Sequence, residues 1–360
     1  MLDVFCLHGS YGADATPYGC TFIRLLQPLS HPAAAARVRM RHGTEPPGDS
    51  PDVVVVERTW KEGTTLADAE RLLAGLSRRR VPVLHAVDDN LLDLNADEPW
   101  QAFPTAQDRA VFMLLSRESR GVLVSTVPLS ERLRRLNPRI EVVPNALDER
   151  LWGLGPPPAR RAGPLVVGYM GTRTHDADLF SVLRGLREVL HLRPGTRLEL
   201  VGLSNDPRLL EPFEGYPVSR LEPGAEGEYP RFVRWLQRTV RWDVAIAPLE
   251  DDPFTACKSN LKQLDYAALG AAGVFGDSVP YRGSVADGEN GLLVPTEPSA
   301  FRDALLRLLD DAGLRESLAS RALSDLRERH TLATQAVAWV EAIEGLLSGP
   351  TAGRDGPDRG

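Results

Sequence analysis

Short apolar runs alternate with amphipathic stretches along the first half of the chain. Runs of the buried-strand type lie at 3–7, 52–57, 82–87, 121–125 and 140–143. Between them, apolar residues three and four positions apart predict helices at 65–79, 106–119 and 129–136. Alternation of strand and helix is typical of a parallel sheet with helices on both faces. We therefore predict a Rossmann-like α/β domain.

The alternation stops at 153–164 and then starts again. This segment lacks both periodicities and is rich in Pro and Gly, which is typical of a linker. Strand patterns follow at 165–170, 197–201, 217–221, 243–247, 274–276 and 292–294, and helical patterns at 179–191, 229–239, 260–269, 300–310, 314–330 and 333–347. The second half is therefore predicted to be another doubly wound parallel-sheet domain.

These patterns divide the chain into five parts. We expect an N-terminal domain at 1–152, the linker at 153–164 and a C-terminal domain at 165–330. A helix at 331–348 is expected to pack back toward the first domain, and the tail at 349–360 to be disordered. Two such domains are expected to face a cleft, and open sheets bind ligands at the carboxyl ends of their strands.

Composition excludes several classes of protein. The 360 residues are 42% hydrophobic and 25% charged, and the net charge of −7 argues against bulk nucleic-acid binding. No apolar run approaches the roughly 20 residues of a membrane span. The N-terminus lacks the basic start of a signal peptide, so we expect a cytoplasmic protein with at most peripheral membrane contact. Cys6, Cys20 and Cys257 lack metal-ligand spacing, so we expect small buried hydrophobes and no metal.

Unusual polar residues follow two predicted strands of the second half. The segment Gly171-Thr172-Arg173 lies between a strand and a helix, where backbone N–H groups and an Arg side chain hold phosphate. An ordinary turn with a surface Arg is the alternative. Asp176-Ala177-Asp178 has the form of a metal motif, but we favour a helix N-cap followed by an acid in the first turn.

The second such place is the start of the helix predicted near Ser259. The chain has only three lysines, and two of them, Lys258 and Lys262, lie four positions apart, on one helical face. Unpaired N–H groups of the first helical turn attract an anion together with Lys258. Asp265 lies near the same face, within reach of a sugar hydroxyl beside a bound phosphate. The alternative is a surface ion pair between Lys262 and Asp265.

Three segments of the chain are similar to motifs that occur together in one family. The segment 142–148, VVPNALD, is similar to V-x-P-N-G-V-D, 287–295, DGENGLLVP, is similar to D-G-x-x-G-x-L-V, and 258–270 takes the place of an E-x7-E motif. In these motifs the chain resembles the retaining, nucleotide-sugar-dependent glycosyltransferases of GT-B fold and family 4 (glycosyl transferases group 1). The order of these motifs covers nearly the whole chain, up to about residue 347. The resemblance implies two Rossmann-like domains, the first for the acceptor and the second for the donor.

The resemblance also implies roles for individual residues. Asp265 takes the place of the second Glu of E-x7-E and is expected to bind the ribose of the donor. Charge on the leaving diphosphate is expected to be stabilised by Arg173, Lys258 and the backbone near 259–260. The expected donor-binding residues are Gly171, Thr172, Arg173, His175, Leu221, Glu222, Lys258, Ser259, Asn260, Leu261 and Asp265.

The sequence departs from the family pattern at two positions. Cys257 stands where the first Glu is expected, and the usual Arg-and-Lys phosphate motif has no Lys near Arg173. Lys258 is a candidate to replace that missing cation.

Two loops of the first half are expected on the acceptor side. Gly9, Ser10, Tyr11 and Gly12 follow the first strand and resemble the segment that approaches donor phosphate and acceptor. A tight turn alone also explains these glycines. Asp88 and Asp89 follow the strand 82–87 and are candidates to orient or deprotonate an acceptor hydroxyl, with capping of the next helix as the alternative. His85 lies within that strand and is expected in the core.

We therefore expect a hexosyltransferase-type glycosyltransferase that acts without a metal or other cofactor. Its partners would be a nucleotide-sugar donor and a glycan, lipid-linked or small-molecule acceptor. A nucleotide-sugar epimerase of similar fold is an alternative, distinguished by its products without acceptor. Cys257 in place of an acid also suits a non-catalytic binding module.

Overall fold

A computed structural model describes residues 1–11, 16–94, 103–155, 163–172, 175–204 and 206–349. The chain forms two compact units: Met1–Pro144 together with the chain from Gln335 onward, and Asn145–Thr334. The chain thus passes from the first unit to the second at Pro144, before the predicted linker. Residues 145–152 belong with the second unit because Leu147 and Trp152 are buried in its core. Most of the segment predicted as a linker, 156–162, and the tail from 350 lie outside the described residues.

The first unit is a parallel sheet of six strands with helices on both faces. The six strands of this sheet are β1 (Leu2–Leu7), β4 (Val38–Gly43), β5 (Val53–Glu57), β6 (Val83–Val87), β7 (Gly121–Val124) and β8 (Ile140–Val142). Two further short strands are β2 (Ser10–Tyr11) and β3 (Thr16–Pro17). Its helices are α1 (Gly19–Thr21), α2 (Gln27–Ser30), α3 (Pro32–Ala35), α4 (Leu66–Arg78), α5 (Ala106–Glu118) and α6 (Val127–Leu133), and a π-helical turn, Phe22–Leu26, joins α1 to α2. The sheet order is β4-β1-β5-β6-β7-β8, and β2 and β3 form a separate hairpin.

Both faces of this sheet are covered. All five residues of β5, VVVVE, are buried, which is typical of a parallel strand between two helical layers. The helices α4 and α5 each begin with a capping box, formed by Thr65 with Asp68 and by Thr105 with Asp108. His85 is fully buried in β6, as expected, and burial lowers the pKa of its imidazole to about 4.

The second unit is another six-stranded parallel sheet. Its strands are β9 (Leu165–Met170), β10 (Thr196–Val201), β11 (Val218–Leu221), β12 (Val244–Ala247), β13 (Ala272–Gly276) and β14 (Leu292–Val294). Its helices are α7 (Glu149–Trp152), α8 (Asp176–Phe180), α9 (Leu183–Leu192), α10 (Arg231–Thr239), α11 (Leu261–Leu269), α12 (Val279–Arg282), α13 (Pro298–Asp310) and α14 (Ala312–Arg329). The last helix, α15 (Leu332–Ser348), begins here and belongs to the first unit from Gln335 onward.

The strand order of the second sheet creates a switch point. The order is β11-β10-β9-β12-β13-β14, so the chain moves from β9 to one side and then returns to build the other side. At such a point the connections after the two central strands diverge and leave a crevice at their carboxyl ends. The loops after β9 and β12 therefore border the place where a doubly wound sheet binds its ligand.

Several features differ from the sequence prediction. The strand β4 and the helical segment 19–30 were not predicted, and the helix predicted at 179–191 is divided between α8 and α9. Cys6 and Cys257 are buried as expected, whereas Cys20 is only half-buried, and all three are free thiols. Among the described residues, no helix has the length and apolar character that crossing a membrane requires.

Candidate functional site

Close backbone packing shapes the loop after β9. The Gly171 N–H donates to the carbonyl of Val201, at 3.0 Å, where β10 ends. Gly202 follows with a φ of +79°, and a Cβ atom there would lie 2.5 Å from the Gly171 carbonyl oxygen. Only glycine satisfies both the left-handed backbone and this approach. The start of the loop is therefore fixed by two glycines that directly follow the neighbouring strands β9 and β10.

Asp178 joins the loops on the two sides of the switch point. Its Oδ2 lies 2.8 Å from Nδ1 of His175, in the loop after β9. Its Oδ1 accepts from the backbone N–H of Glu250, in the loop after β12, at 3.3 Å. The side chain of Asp178 is 7% exposed. One buried carboxylate therefore fixes both loops.

The imidazole of His175 lies near both lysines. Burial lowers the pKa of His175 well below its ordinary value, and the charges of Lys262 and Lys258 lower it further. Burial raises the pKa of Asp178, while Lys262, the Glu250 N–H and Lys258 oppose that rise. The backbone carbonyl of His175 accepts from the Tyr169 hydroxyl at 3.0 Å. The ring is therefore neutral at neutral pH and held at Nδ1 by Asp178, while Tyr169 holds the backbone of the same residue.

Lys262 lies on the first turn of α11 and is partly buried. Its Nζ is 5.0 Å from the centroid of the Tyr169 ring, a cation–π contact. Burial lowers the pKa of Lys262 to about 8; the charge of Asp178 opposes this shift, and that of Lys258 adds to it. Lys258 precedes the helix, with its Nζ 4.5 Å from the Phe254 ring centroid. Two neighbouring cations thus lie near His175 and Asp178. The prediction that both lysines share one helical face is wrong, because α11 begins at Leu261, after Lys258.

Asp265 lies one turn after Lys262 and is partly buried. Burial raises the pKa of its carboxyl to about 7, and the charge of Lys262 opposes the rise. Within the described part of the chain, this carboxyl makes no hydrogen bond and no ion pair within 4 Å. The alternative of an ion pair between Lys262 and Asp265 is therefore wrong. The carboxyl retains its capacity to accept hydrogen bonds from a ligand.

The start of α11 is held by side-chain hydrogen bonds around it. The N-cap is Asn260, whose side chain makes no capping bond to the helix backbone. Instead, Asn260 Nδ2 donates to Gln263 Oε1 at 3.1 Å, and Gln263 Nε2 donates to the Ser284 carbonyl at 2.9 Å. Asn145, from the segment VVPNALD, donates to Ser259 Oγ at 2.8 Å. The N–H groups of the first turn of α11 consequently have no side-chain cap.

The remaining predicted donor residues have varied environments. Arg173 and Thr174 lie outside the described residues. The prediction that the Asp176-Ala177-Asp178 segment supplies the N-cap is wrong: α8 has His175 at this position, and both acids lie in the first turn. Cys257 is 4% exposed, at the end of a short 3₁₀ turn. Glu222 follows the edge strand β11 and pairs with Arg220 at 3.1 Å.

A second group of charged residues lies at the carboxyl edge of the first unit's sheet. Both carboxylate oxygens of Asp88 accept from Arg58, at 2.7 and 3.2 Å, and Asp89 accepts from the same guanidinium at 2.8 Å. Burial raises the pKa of Asp88, but the charge and hydrogen bonds of Arg58 outweigh it and the net shift is downward. Among described helices, α5 is capped by Thr105, so neither acid caps it.

Arg58 has an unusual backbone conformation that the sequence did not reveal. Its φ is +47°, and its carbonyl is 2.6 Å from Nε2 of the buried His85. Left-handed backbone at a non-glycine residue is uncommon and is held in place by surrounding contacts. His85 thus fixes the residue that pairs with both acids.

The loop after β1 is tightly packed. A Cβ atom on Gly9 would lie 2.6 Å from the Trp60 carbonyl oxygen and 2.8 Å from the Tyr18 ring. Close approach of backbone therefore requires this glycine. Ser10 and Tyr11 form β2, and Gly12 lies outside the described residues.

Comparisons with known proteins identify the fold. No family model and no curated sequence matches the chain. Among solved structures, it is similar to Thermosynechococcus elongatus sucrose-phosphate synthase, with 15% identity, a TM-score of 0.66 and coverage of 97% of this chain and 100% of that one. Anabaena HepE, solved with UDP, has 12% identity, a TM-score of 0.63 and coverage of 96% and 100%.

A third similar structure is Staphylococcus aureus TarM, solved with UDP and sugar ligands. It has 12% identity and a TM-score of 0.59, and the match covers 82% of this chain but only 55% of TarM. The chain therefore spans about half the length of TarM. These likenesses and the two parallel-sheet units show that the fold is GT-B, as the sequence predicted.

Proposed function

We propose that the protein is a glycosyltransferase that moves a sugar from a nucleotide-sugar donor to an acceptor hydroxyl. The observation on which the proposal rests is that Lys258, Lys262 and Asp265 are neighbours at the switch point of the second sheet. Similarity to GT-B glycosyltransferases supports it, since HepE was solved with UDP and with UDP-glucose. Ligands of doubly wound sheets bind at this place.

The two lysines are suited to a diphosphate. Lys262 is partly buried, and a cation in such a place attracts an anion more strongly than one in open water. The N–H groups at the start of α11, near Ser259, Asn260 and Leu261, add donors that an anion accepts from. Gly171, Thr172 and Arg173 are proposed to contact the donor from the loop after β9. We propose no metal, because these cations supply the charge that balances the diphosphate.

Asp265 is proposed to bind the donor ribose. An ionised carboxylate accepts hydrogen bonds from two adjacent hydroxyl groups, and Asp265 has no such partner among the described residues. A bound diphosphate would also keep Lys262 protonated, and this charge favours ionised Asp265. Leu221 and Glu222 are proposed to lie nearer the base, at the end of β11.

Transfer breaks the bond between the anomeric carbon and the diphosphate oxygen, and forms one to the acceptor oxygen. Negative charge develops on the leaving diphosphate, so Lys258, Lys262 and Arg173 would accelerate the step by stabilising it. The acceptor oxygen gives its proton to the departing diphosphate oxygen as the new bond forms. Retention of configuration, a hexose donor and a place among the family-4 enzymes are parts of the proposal that follow from the resemblance of motifs.

The first unit is proposed to bind the acceptor, a glycan, a lipid-linked sugar or a small molecule. Asp89 is the better candidate to contact its hydroxyl, because both oxygens of Asp88 already accept from Arg58. The loop of Gly9, Ser10, Tyr11 and Gly12 is proposed to approach the same group. A cytoplasmic location agrees with this reaction, since nucleotide sugars are made there.

Product analysis tests the proposed reaction. The protein is incubated with UDP-, GDP-, ADP- and dTDP-linked hexoses, with and without a mixture of sugar and lipid-linked acceptors, and nucleotide release and sugar products are measured. Acceptor-dependent release of nucleoside diphosphate supports a transferase. Conversion of the sugar to its epimer without acceptor, or nucleotide binding with no product, contradicts it. The second candidate function is a binding module, which would bind nucleotide without forming product. Cys257 favours it, because a buried thiol stands where the resemblance leads us to expect an acid.

A further inference from the structure

We propose that His175 determines donor specificity by accepting a hydrogen bond from a hydroxyl of the donor sugar at its Nε2 atom. This inference rests on the proposed function, because it requires a nucleotide sugar in the second unit. His175 would act beside the lysines, on the sugar that follows the diphosphate.

The hydrogen bond to Asp178 fixes the tautomer of the ring. Nδ1 of His175 lies 2.8 Å from Asp178 Oδ2, and the other oxygen of Asp178 accepts the Glu250 N–H. An ionised carboxylate only accepts hydrogen bonds, so the proton of the neutral ring resides on Nδ1. Nε2 therefore presents a lone pair. Within the described part of the chain, Nε2 has no hydrogen-bond partner.

The surroundings of the ring select the group that Nε2 would bind. The side chain of His175 is 15% exposed, and burial and two nearby cations, Lys262 and Lys258, disfavour a positive charge on it. A neutral acceptor gains nothing from a phosphate oxygen, which is itself an acceptor. A hydroxyl group donates to it readily. In a nucleotide sugar whose diphosphate meets the lysines, the sugar supplies such hydroxyls next to the diphosphate.

Asp178 has a positioning role in this arrangement. Asn has the same shape as Asp, but its amide has only one oxygen that can accept a hydrogen bond. If that oxygen faces Glu250, the amide N–H faces His175 and the tautomer of the ring is no longer fixed. If the oxygen faces His175, the Glu250 N–H loses its acceptor. Asp178→Asn is therefore expected to reproduce part of the effect of removing the imidazole. Asp178→Asn also removes a negative charge that raises the pKa of Lys262, so its effect is expected on the diphosphate as well as on the sugar.

Calorimetric binding of matched ligands tests the inference. The affinities of UDP, GDP, ADP and dTDP are compared with those of the same nucleotides linked to glucose, for the full chain. His175→Leu removes both ring nitrogens, while His175→Gln places an amide near the position of Nε2. The control is His191→Leu, which changes an exposed histidine on α9.

We expect His175→Leu to lower the affinity for the nucleotide sugar about tenfold and the affinity for the nucleoside diphosphate alone less than twofold. His175→Gln should recover part of the loss, and His191→Leu should change neither affinity. Equal loss for both ligands would overturn the inference, since it would place His175 against the nucleotide or in the fold alone. Unchanged affinities in His175→Leu would overturn it as well. If the unaltered protein binds no nucleotide, the proposed function itself fails.

Discussion

The ammonium group of Lys262 lies over the ring of Tyr169, with 5.0 Å between Nζ and the ring centroid. Lys262 belongs to α11, which follows β12, and Tyr169 belongs to β9, so this contact joins the two sides of the switch point. Among the described residues, no carboxylate lies within 4 Å of Nζ. The cation is therefore held in place and remains able to pair with a bound anion.

Replacing Lys262 with Met should weaken binding of nucleoside diphosphates. Met keeps most of the aliphatic volume against Tyr169 but removes the charge, and a charge-assisted hydrogen bond to phosphate is lost. We expect an increase of about tenfold or more in Kd by calorimetry. Lys61→Met is the matched control, because Lys61 is the one lysine of the first unit and pairs with Glu45. An equal effect of both substitutions would contradict the assignment.

Nucleotide affinity should fall as the pH rises through 8. The free protein holds Lys262 with a pKa of about 8, because burial disfavours its charge. A diphosphate binds the protonated form, so above pH 8 binding must also restore the proton and becomes weaker. Measurements of Kd from pH 7 to pH 9.5 should show this fall in the unaltered protein and a smaller one in Lys262→Met. A flat profile in the unaltered protein is the opposing result.

Asp265→Asn should stabilise the fold while weakening nucleotide binding. The folded pKa of Asp265 is about 7, above its ordinary value of 3.8, so folding stability decreases as the pH rises from 4 to 7. The amide carries no charge, and above pH 7 it should raise the free energy of unfolding by roughly 1–2 kcal/mol, after allowance for partial exposure. Urea unfolding of the variant and the unaltered protein at pH 8 and pH 4 measures this difference. A stabilisation by Asp265→Asn that is no larger at pH 8 than at pH 4 would contradict the prediction.

Gly202→Ala should disturb the site, and Gly215→Ala provides its control. Both glycines have left-handed backbone, with φ of +79° and +82°, so alanine costs about 1 kcal/mol at each. Only at Gly202 does the new Cβ collide with backbone, 2.5 Å from the Gly171 oxygen, whereas Gly215 has open space. We expect a total loss of about 2–3 kcal/mol for Gly202→Ala and weaker nucleotide binding. Similar unfolding curves for the two variants would refute this account of the loop.

Arg58→Met should destabilise the first unit through Asp88. The side chain of Asp88 is 16% exposed, and both its carboxylate oxygens accept from Arg58. The substitution removes this guanidinium and leaves the carboxylate without its partner. We expect a loss of about 2–4 kcal/mol at pH 7. The net pKa shift of Asp88 is downward, so the stabilisation is present above about pH 4 and decreases as the pH falls further. The double variant Arg58→Met with Asp88→Asn should recover part of the loss in urea unfolding; no recovery would contradict the pairing.

Most of the fold was predictable because strand and helix have different periods. β9 and β14 were predicted with their observed bounds, since each is a short apolar run ending at a loop. β4, with the sequence VRMRHG, was missed because its polar residues hide the pattern of an edge strand. The sequence predicts the boundary between the units at the Pro- and Gly-rich segment 153–164. In the structure the second unit already begins at Asn145, because Trp152 is buried in its core.

The candidate site was predictable only in part. The spacing of Lys258, Lys262 and Asp265 was visible in the sequence, and so was the loop containing His175. The i,i+3 spacing of His175 and Asp178 at a helix start was a usable signal for their pairing. The pairing of Arg58 with Asp88 had no such signal, because the residues are 30 positions apart and meet only when β5 and β6 pair.

Ligand-dependent thermal stability is the decisive measurement for the proposed donor site. The unaltered protein and Lys258→Ala are each heated with UDP, GDP, ADP, dTDP and their hexose conjugates, with and without Mg²⁺. We expect that one base raises the Tm of the unaltered protein, that Mg²⁺ is not required, and that Lys258→Ala loses most of the shift. The absence of any shift with every nucleotide, or an equal shift in Lys258→Ala, would contradict the assignment of the donor site.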